Sequence, residues 1–307
     1  MTLKESWFNT IKKTIKLAKN AGFCYGVKRA VDTTIKLKQE NINKSVCVLG
    51  ELIHNSHVIK ELETLGIKTL DSLPDNGEGI CIIRSHGESD DVFREVQKRG
   101  FELVDLTCLD VKKVQSRAVD LVQIGFFVIM LGKKEHTEVL AISINAQWAA
   151  DNHDNVFVAP NINSLKEIEN KIKNSSKVGV VLQTTQTKEY LFEVVNYLMP
   201  ICKILKIVNT ICPSTSLRQE EAKKLAKNSD LMVVVGSKKS ANTTHLAQLL
   251  SEITQTIHIE NEYELDEFNN LILNANNIGV TAGASTPDKL IQKVLEKLEE
   301  YNIERTK

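Results

Sequence analysis

Three passages of this chain repeat one local pattern: a short apolar run, a cysteine, then a helical stretch carrying Lys or Arg in its first turns. They read IKLAKNAGFC-YGVKRAVDTTIKL, FELVDLTC-LDVKKVQSRAVDLV and LKIVNTIC-PSTSLRQEEAKKLA, and their cysteines, Cys24, Cys108 and Cys212, stand 84 and 104 residues apart. A fold that accepts this pattern must turn from strand to helix at a thiol three times over. The spacing predicts three lobes of similar length, each donating one thiol.

Between these passages, short β-branched runs alternate with helical periodicity, which predicts an α/β fold of parallel sheets covered by helices rather than an antiparallel sandwich. The segments VCVLGELIHN, GICIIRSHGES, FFVIMLGKKEHTE, VGVVLQTTQT, LMVVVGSKKSANT and IGVTAGASTPD all end an apolar run in a polar, Gly- or Ser/Thr-containing turn. In open parallel sheets ligands bind outside the carboxyl ends of strands. Aligned, the pieces form an internal repeat of strand-Cys-helix, strand-motif-helix, strand, strand-motif-helix. The expected boundaries are an N-terminal extension over 1–13, lobe one over 14–108, lobe two over 109–210 and lobe three over 211–300. A pseudo-threefold relation would bring the three cysteines and six polar turns around one central cavity. Residues 152–177 are the most polar stretch and are expected to form an exposed strand and helix.

Composition narrows the function classes. With 307 residues, 42% apolar and 25% charged, the chain can bury a large core. Lys plus Arg equals Asp plus Glu at 39 each, so no global field attracts nucleic acid or an acidic membrane. No run approaches the roughly 18 apolar residues of a membrane span. The opening MTLKESWFNTIKK has no apolar signal core, and a chain this long needs no disulfide staples, so a reducing cytoplasm with free thiols is expected.

A cysteine at the start of a helix feels the positive end of the helix dipole, which favours the metal-binding thiolate. Structural zinc sites use four ligands, commonly from closely spaced cysteine pairs, and no such pair occurs here. Three soft thiolates instead suit an iron-sulfur cubane with one iron left open to substrate. Cys47, Cys81 and Cys202 lie in apolar or helix-end contexts and are expected to serve packing.

A cavity that takes a multiply charged anion without a lysine cluster needs neutral donors and helix N-termini. His54, His86, Ser240, Asn242 and Ser285 stand at strand-to-helix turns and fit that role, with a diphosphate as the natural ligand. Capping alone would account for any one Ser or Asn, and the assignment rests on six turns sharing one sheet edge. His136 and Glu138, two residues apart after FFVIMLG, can face the same cavity from an extended turn. Glu138 near a dry site would have its pKa raised by desolvation and could donate a proton at neutral pH. Thr184 could bond a substrate hydroxyl and relay that proton. His57, His153, His245 and His258 are expected to be structural or solvated, and the glycines of GVTAGAS and LGE to serve turns and close approach to ligand.

Together AGFCYGVKRAVD, ELIHN, RSHGES, DLTC, EHTE, QTT, the TIC segment with RQE, GSKKSAN and GVTAGASTPD resemble the LytB/IspH family, the 4-hydroxy-3-methylbut-2-enyl diphosphate reductases, from about Lys16 to residue 295. The resemblance implies a trefoil of three α/β lobes around one 4Fe-4S cluster held by Cys24, Cys108 and Cys212. It implies diphosphate contacts at His54, His86, Ser240, Ala241, Asn242 and Ser285, with His136 lining the pocket, Thr184 on the substrate hydroxyl and Glu138 as proton donor. It also implies ferredoxin or flavodoxin as electron donor, and the last step of the non-mevalonate isoprenoid pathway, giving isopentenyl and dimethylallyl diphosphates. Three positions depart from the family: Thr137 and Leu109 stand where Pro is usual, and Ala241 where Ser is typical. The last removes a hydroxyl donor, so weakened substrate binding is expected. Two other readings keep the cysteines: a non-redox (de)hydratase, and an iron-sulfur or zinc sensor without catalysis.

Overall fold

The computed structural model of the chain describes residues 13–149 and 153–304. The expected N-terminal extension therefore lies, apart from Lys13, outside the described residues. The described residues form twelve strands: β1 (Thr14–Leu17), β2 (Val46–Leu49), β3 (Ile67–Leu70), β4 (Ile80–Ile83), β5 (Glu102–Asp105), β6 (Phe127–Leu131), β7 (Val156–Ala159), β8 (Val178–Leu182), β9 (Leu205–Ile207), β10 (Leu231–Val235), β11 (Gln255–Ile259) and β12 (Asn277–Ala282). They form three four-stranded sheets whose pairings are all parallel, so the α/β expectation holds. The chain divides into two compact units, residues 24–216 and residues 217–307 with 1–23.

The first unit holds two sheets, ordered β3-β2-β4-β5 and β7-β6-β8-β9. Their inner strands, VCVL, ICII, FVIML and VGVVL, are buried at every position. Helices on both faces explain why these strands read as continuous apolar runs rather than alternating ones. In each sheet the chain steps from its first strand to an outer neighbour, then crosses back to the other side. The switch points fall between β2 and β4 and between β6 and β8. The turns after these four strands carry His54, His86, His136 and Thr184. Gly179 on β8 lets the helix Leu109–Gln123 lie close, since a Cβ there would come 3.0 Å from Leu121.

The second unit repeats the order as β11-β10-β12-β1. This corrects the lobe boundary at residue 14. The strand before Cys24 does not join the first lobe's sheet; β1 pairs with β12, Thr14 opposite Asn277 and Leu17 opposite Val280. Without β1, β12 would show an unpaired edge where the equivalent strands β4 and β8 are covered by β5 and β9. Parallel pairing to that edge satisfies its backbone groups. Lys13, 3% exposed, fixes the start of β1 by donating from Nζ to the carbonyls of Ile272, Leu273 and Ala275 at 2.7, 2.9 and 2.7 Å. Those carbonyls close the helix Asn269–Asn274, where a cation also suits the dipole.

Residues 154–177, the described side chains of the polar stretch, are less exposed than their composition implies. β7 is half-buried, and the helix expected there is split into Ile162–Glu167 and Glu169–Asn174, which bury Leu165 and Ile172 completely.

Removing residues 1–17 should leave β12 open on one side. Hydrogen exchange followed by mass spectrometry should then show Asn277–Ala282 losing protection by about tenfold or more, with β2 and β4 unchanged.

Candidate active site

The three thiols of interest all belong to the unit spanning residues 24–216. Cys24 is the N-cap of the helix Tyr25–Glu40, and its sulfur accepts from the Val27 N–H at 3.5 Å. Cys108 is the N-cap of the helix Leu109–Gln123. Cys212 precedes the helix Pro213–Ala226, and its carbonyl accepts from the Ser216 N–H at 3.0 Å. All three thus stand where unpaired helix amides gather. A Cβ at Gly26 would lie 2.7 Å from the Cys108 sulfur and 4.0 Å from that of Cys24, so glycine lets both sulfurs approach the same point of the helix. Arg29, one turn on, donates to the carbonyls of Leu106 and Thr107 at 3.2 and 2.6 Å and ties that helix to the Cys108 turn.

Cys212 departs from the thiolate expectation. Its sulfur donates to Asp110 Oδ2 at 3.0 Å. Burial, then Asp110, push its pKa up to about 12, outweighing the backbone N–H groups of Thr215 and Ser214 that favour the anion. The thiol is therefore protonated, and any metal that bound it would have to displace that proton. Among the described residues no three His, Cys, Asp or Glu side chains could hold a single metal ion.

The imidazoles form a second cluster in this unit. His54 and His86 stack with centroids 4.3 Å apart and planes 21° apart, and His136 stands edge-on to both at 5.7 Å. Burial, then His54, His136 and Arg84, hold His86 well below the ordinary histidine pKa, so it is neutral. His136 caps the helix Thr137–Trp148, its Nδ1 accepting from the Glu138 N–H at 3.2 Å. A backbone N–H can only donate, so the ring proton of neutral His136 lies on Nε2. Asn55, overlooked in the sequence, caps the helix Ser56–Thr64 and thereby sets the turn carrying His54. A cap of that type before an amphipathic run was a legible signal.

Glu138 is 1% exposed. Its Oε1 accepts from the Thr184 N–H at 2.7 Å and its Oε2 from the Thr184 hydroxyl at 2.9 Å. Burial raises its pKa to about 7 against both of those bonds, as desolvation predicts. The thiols are tied to these turns through the backbone: the Cys108 N–H donates to the Ser85 carbonyl and the Cys212 N–H to that of Thr184, both at 2.9 Å. Ser85 immediately precedes His86 of the imidazole cluster, and Thr184 itself holds the acid.

In the other unit, Ser240 caps the helix Ala241–Ser251, its hydroxyl accepting from the Thr243 N–H at 3.4 Å. Asn242 is 7% exposed, and its Nδ2 is buried with no hydrogen-bond partner among the described residues. Ala241 and Ser285 are each 6% exposed. β10 and β12 are neighbours, so the turns with Ser240 and Ser285 leave one edge of one sheet.

Of the remaining cysteines, Cys47 and Cys81 sit opposite each other on β2 and β4 within one apolar core, and Cys202 packs against another. His57 is exposed, and His258 pairs through Nε2 with the Gly236 carbonyl at 2.8 Å. The His153 side chain lies outside the described residues. Gly50 of LGE has a positive φ of 70°, and a Cβ there would run into the Arg84 guanidinium.

Fold and site define an α/β protein of three like parallel sheets, with cysteines at the starts of three helices and a buried protonatable carboxyl at the strand ends. The model of the LytB protein family matches residues 15–299, and the chain belongs to that family. Among curated relatives, a 4-hydroxy-3-methylbut-2-enyl diphosphate reductase of Pelobacter propionicus is 39% identical over 93% of this chain and 98% of its own. One of Geobacter sulfurreducens is 38% identical over 94% and 98%. A solved structure of (E)-4-hydroxy-3-methyl-but-2-enyl diphosphate reductase, the terminal enzyme of the non-mevalonate pathway, is 35% identical and covers 94% of this chain and 99% of its own, with a TM-score of 0.67. A solved structure of an E-1-hydroxy-2-methyl-but-2-enyl-4-diphosphate reductase from Plasmodium falciparum is 26% identical with a TM-score of 0.82, covering 93% of this chain and 87% of its own.

The raised pKa of Glu138 has a sign that can be measured. From about pH 4.5 to about 7 the folded chain keeps a proton that the unfolded chain has released, so stability falls as pH rises through that window. Glu138→Gln, a neutral isostere, should be more stable than wild type at pH 8 by roughly 3 kcal/mol, with the gain vanishing near pH 4.5. Urea unfolding across this range checks it, and a gain independent of pH would contradict it.

Proposed function

We propose that this chain is a 4-hydroxy-3-methylbut-2-enyl diphosphate reductase. It removes the allylic hydroxyl as water, with two electrons and two protons, to give isopentenyl and dimethylallyl diphosphates. The observation that carries this reading is the link from thiol to acid: the Cys212 N–H bonds the Thr184 carbonyl, while the Thr184 N–H and hydroxyl hold Glu138.

Cys24, Cys108 and Cys212 would hold the cofactor. The donor set fits an iron-sulfur centre, being three soft thiols at helix N-termini with Gly26 leaving room for two of the sulfurs. When bound, a 4Fe-4S cluster supplies electrons singly and an iron without a protein ligand as Lewis acid. Ferredoxin or flavodoxin is the proposed electron donor, and the cytoplasm the proposed location. No helix of the described residues is long and apolar enough to cross a membrane.

The remaining steps belong to the protein. Neutral His86 and the Nε2–H of His136 donate to the diphosphate together with His54. Ser240, Asn242, Ser285 and the backbone at Ala241, at a helix N-terminus and strand-end turns of the other unit, are proposed as diphosphate ligands as well. Glu138, protonated about half the time at neutral pH, passes its proton through the Thr184 hydroxyl to the leaving hydroxyl.

Anaerobic reconstitution with iron and sulfide, followed by iron counting and electron paramagnetic resonance, tests the cofactor; serine at any one of the three cysteines should abolish the cluster signal. Glu138→Gln should lose turnover with a reduced carrier by about a hundredfold or more while keeping wild-type iron content. Normal turnover in that variant would refute the donor, and turnover without reductant would favour the non-redox reading. Ala241→Ser should restore a hydroxyl and lower KM by about threefold to tenfold.

A further inference from the structure

Asp110 does more than an acidic residue in a first helical turn requires. Its Oδ2 accepts from the Tyr25 hydroxyl at 2.7 Å and from the Cys212 sulfur at 3.0 Å, and its Oδ1 from Lys113 at 3.2 Å. The Tyr25 hydroxyl lies 3.7 Å from the Cys108 sulfur. Tyr25 is the first residue of the helix capped by Cys24, Asp110 the second of the helix capped by Cys108, and Cys212 precedes the third. A single carboxylate oxygen therefore joins all three cysteine-bearing turns, across 85 and 102 residues of chain.

Neither partner is held there by packing alone. Tyr25 is 47% exposed, whereas Asp110 is 8% exposed and spends its Oδ2 on partners outside its own helix. A carboxylate drawn from water is stabilised only by such bonds.

We propose that Tyr25 and Asp110 are positioning residues that gather the three cysteine turns before the iron-sulfur centre assembles. The inference rests on the cofactor assignment made above. Thiols far apart in sequence rarely preform a site, and ordering them in advance removes part of the entropy that binding must otherwise overcome.

The full-length metal-free chain is to be loaded anaerobically with ferrous iron and sulfide, following visible absorbance with time and counting iron and acid-labile sulfide at the end. Tyr25→Phe should load about tenfold more slowly, the scale of one hydrogen bond to an ionised group, while the metal-free chain still folds cooperatively with its thermal midpoint lowered by only a few degrees. Asp110→Ala should slow loading at least as much, Asp110→Asn, which keeps an acceptor, should slow it less, and the Tyr25→Phe/Asp110→Ala pair should be no slower than Asp110→Ala alone. Wild-type loading in Tyr25→Phe, or additive effects in the pair, would overturn the proposal. If the wild-type chain takes up neither iron nor sulfide, the cofactor assignment fails and the clamp falls with it.

Discussion

A helix that begins at the carboxyl end of a parallel strand leaves its first amide N–H groups without partners inside the helix. This fold creates that situation in all three sheets, and the side chains that relieve it are also the ones with chemistry. The Cys24 sulfur accepts from Val27, His136 Nδ1 from Glu138 and the Ser240 hydroxyl from Thr243. The amides that stabilise a sulfur or an imidazole in the folded chain are the same kind of group that stabilises a bound anion. Capping and ligand binding are therefore two uses of one dipole, which is why residues of both sorts crowd the same strand ends.

That coincidence explains how much could be read from the sequence. The apolar runs of β2, β4, β6, β8, β10 and β12 are continuous because both faces are covered, and each is followed by a turn whose polar residue is legible by position alone. β1 was harder. Its four residues are largely exposed in pattern, with only Ile15 half-buried, and no local signal says which sheet a short edge strand completes. The pairing is decided by the open edge of β12, more than 250 residues away in sequence. Asp110 was invisible for the opposite reason: an acidic residue in a first turn already has a sufficient explanation in the helix dipole, which masks its bonds to Tyr25 and Cys212.

The thiols show where a local rule was outweighed. A helix N-terminus lowers a cysteine pKa when the sulfur is accessible and the dipole is the main charge nearby. Cys212 is buried and faces a carboxylate, and both raise its pKa more than two backbone amides lower it. Asp110 is the mirror case: burial pushes its pKa up, but the bonds from Cys212, Tyr25 and Lys113 outweigh burial and hold it below the usual carboxylate value. The proton between the two therefore sits on sulfur.

Burial perturbs Glu138 and His86 in opposite directions. Burial favours the neutral form of each, keeping a proton on the acid and off the imidazole. Stability linked to His86 is lost as pH falls below the unfolded histidine value, and that linked to Glu138 is lost as pH rises toward about 7. Thr184 sets the balance for the acid. Desolvation alone would drive Glu138 higher, whereas two bonds to its ionised form bring its pKa back to about 7. The same threonine accepts the Cys212 N–H, so the residue that tunes the acid also places the third thiol, and neither function can drift without the other.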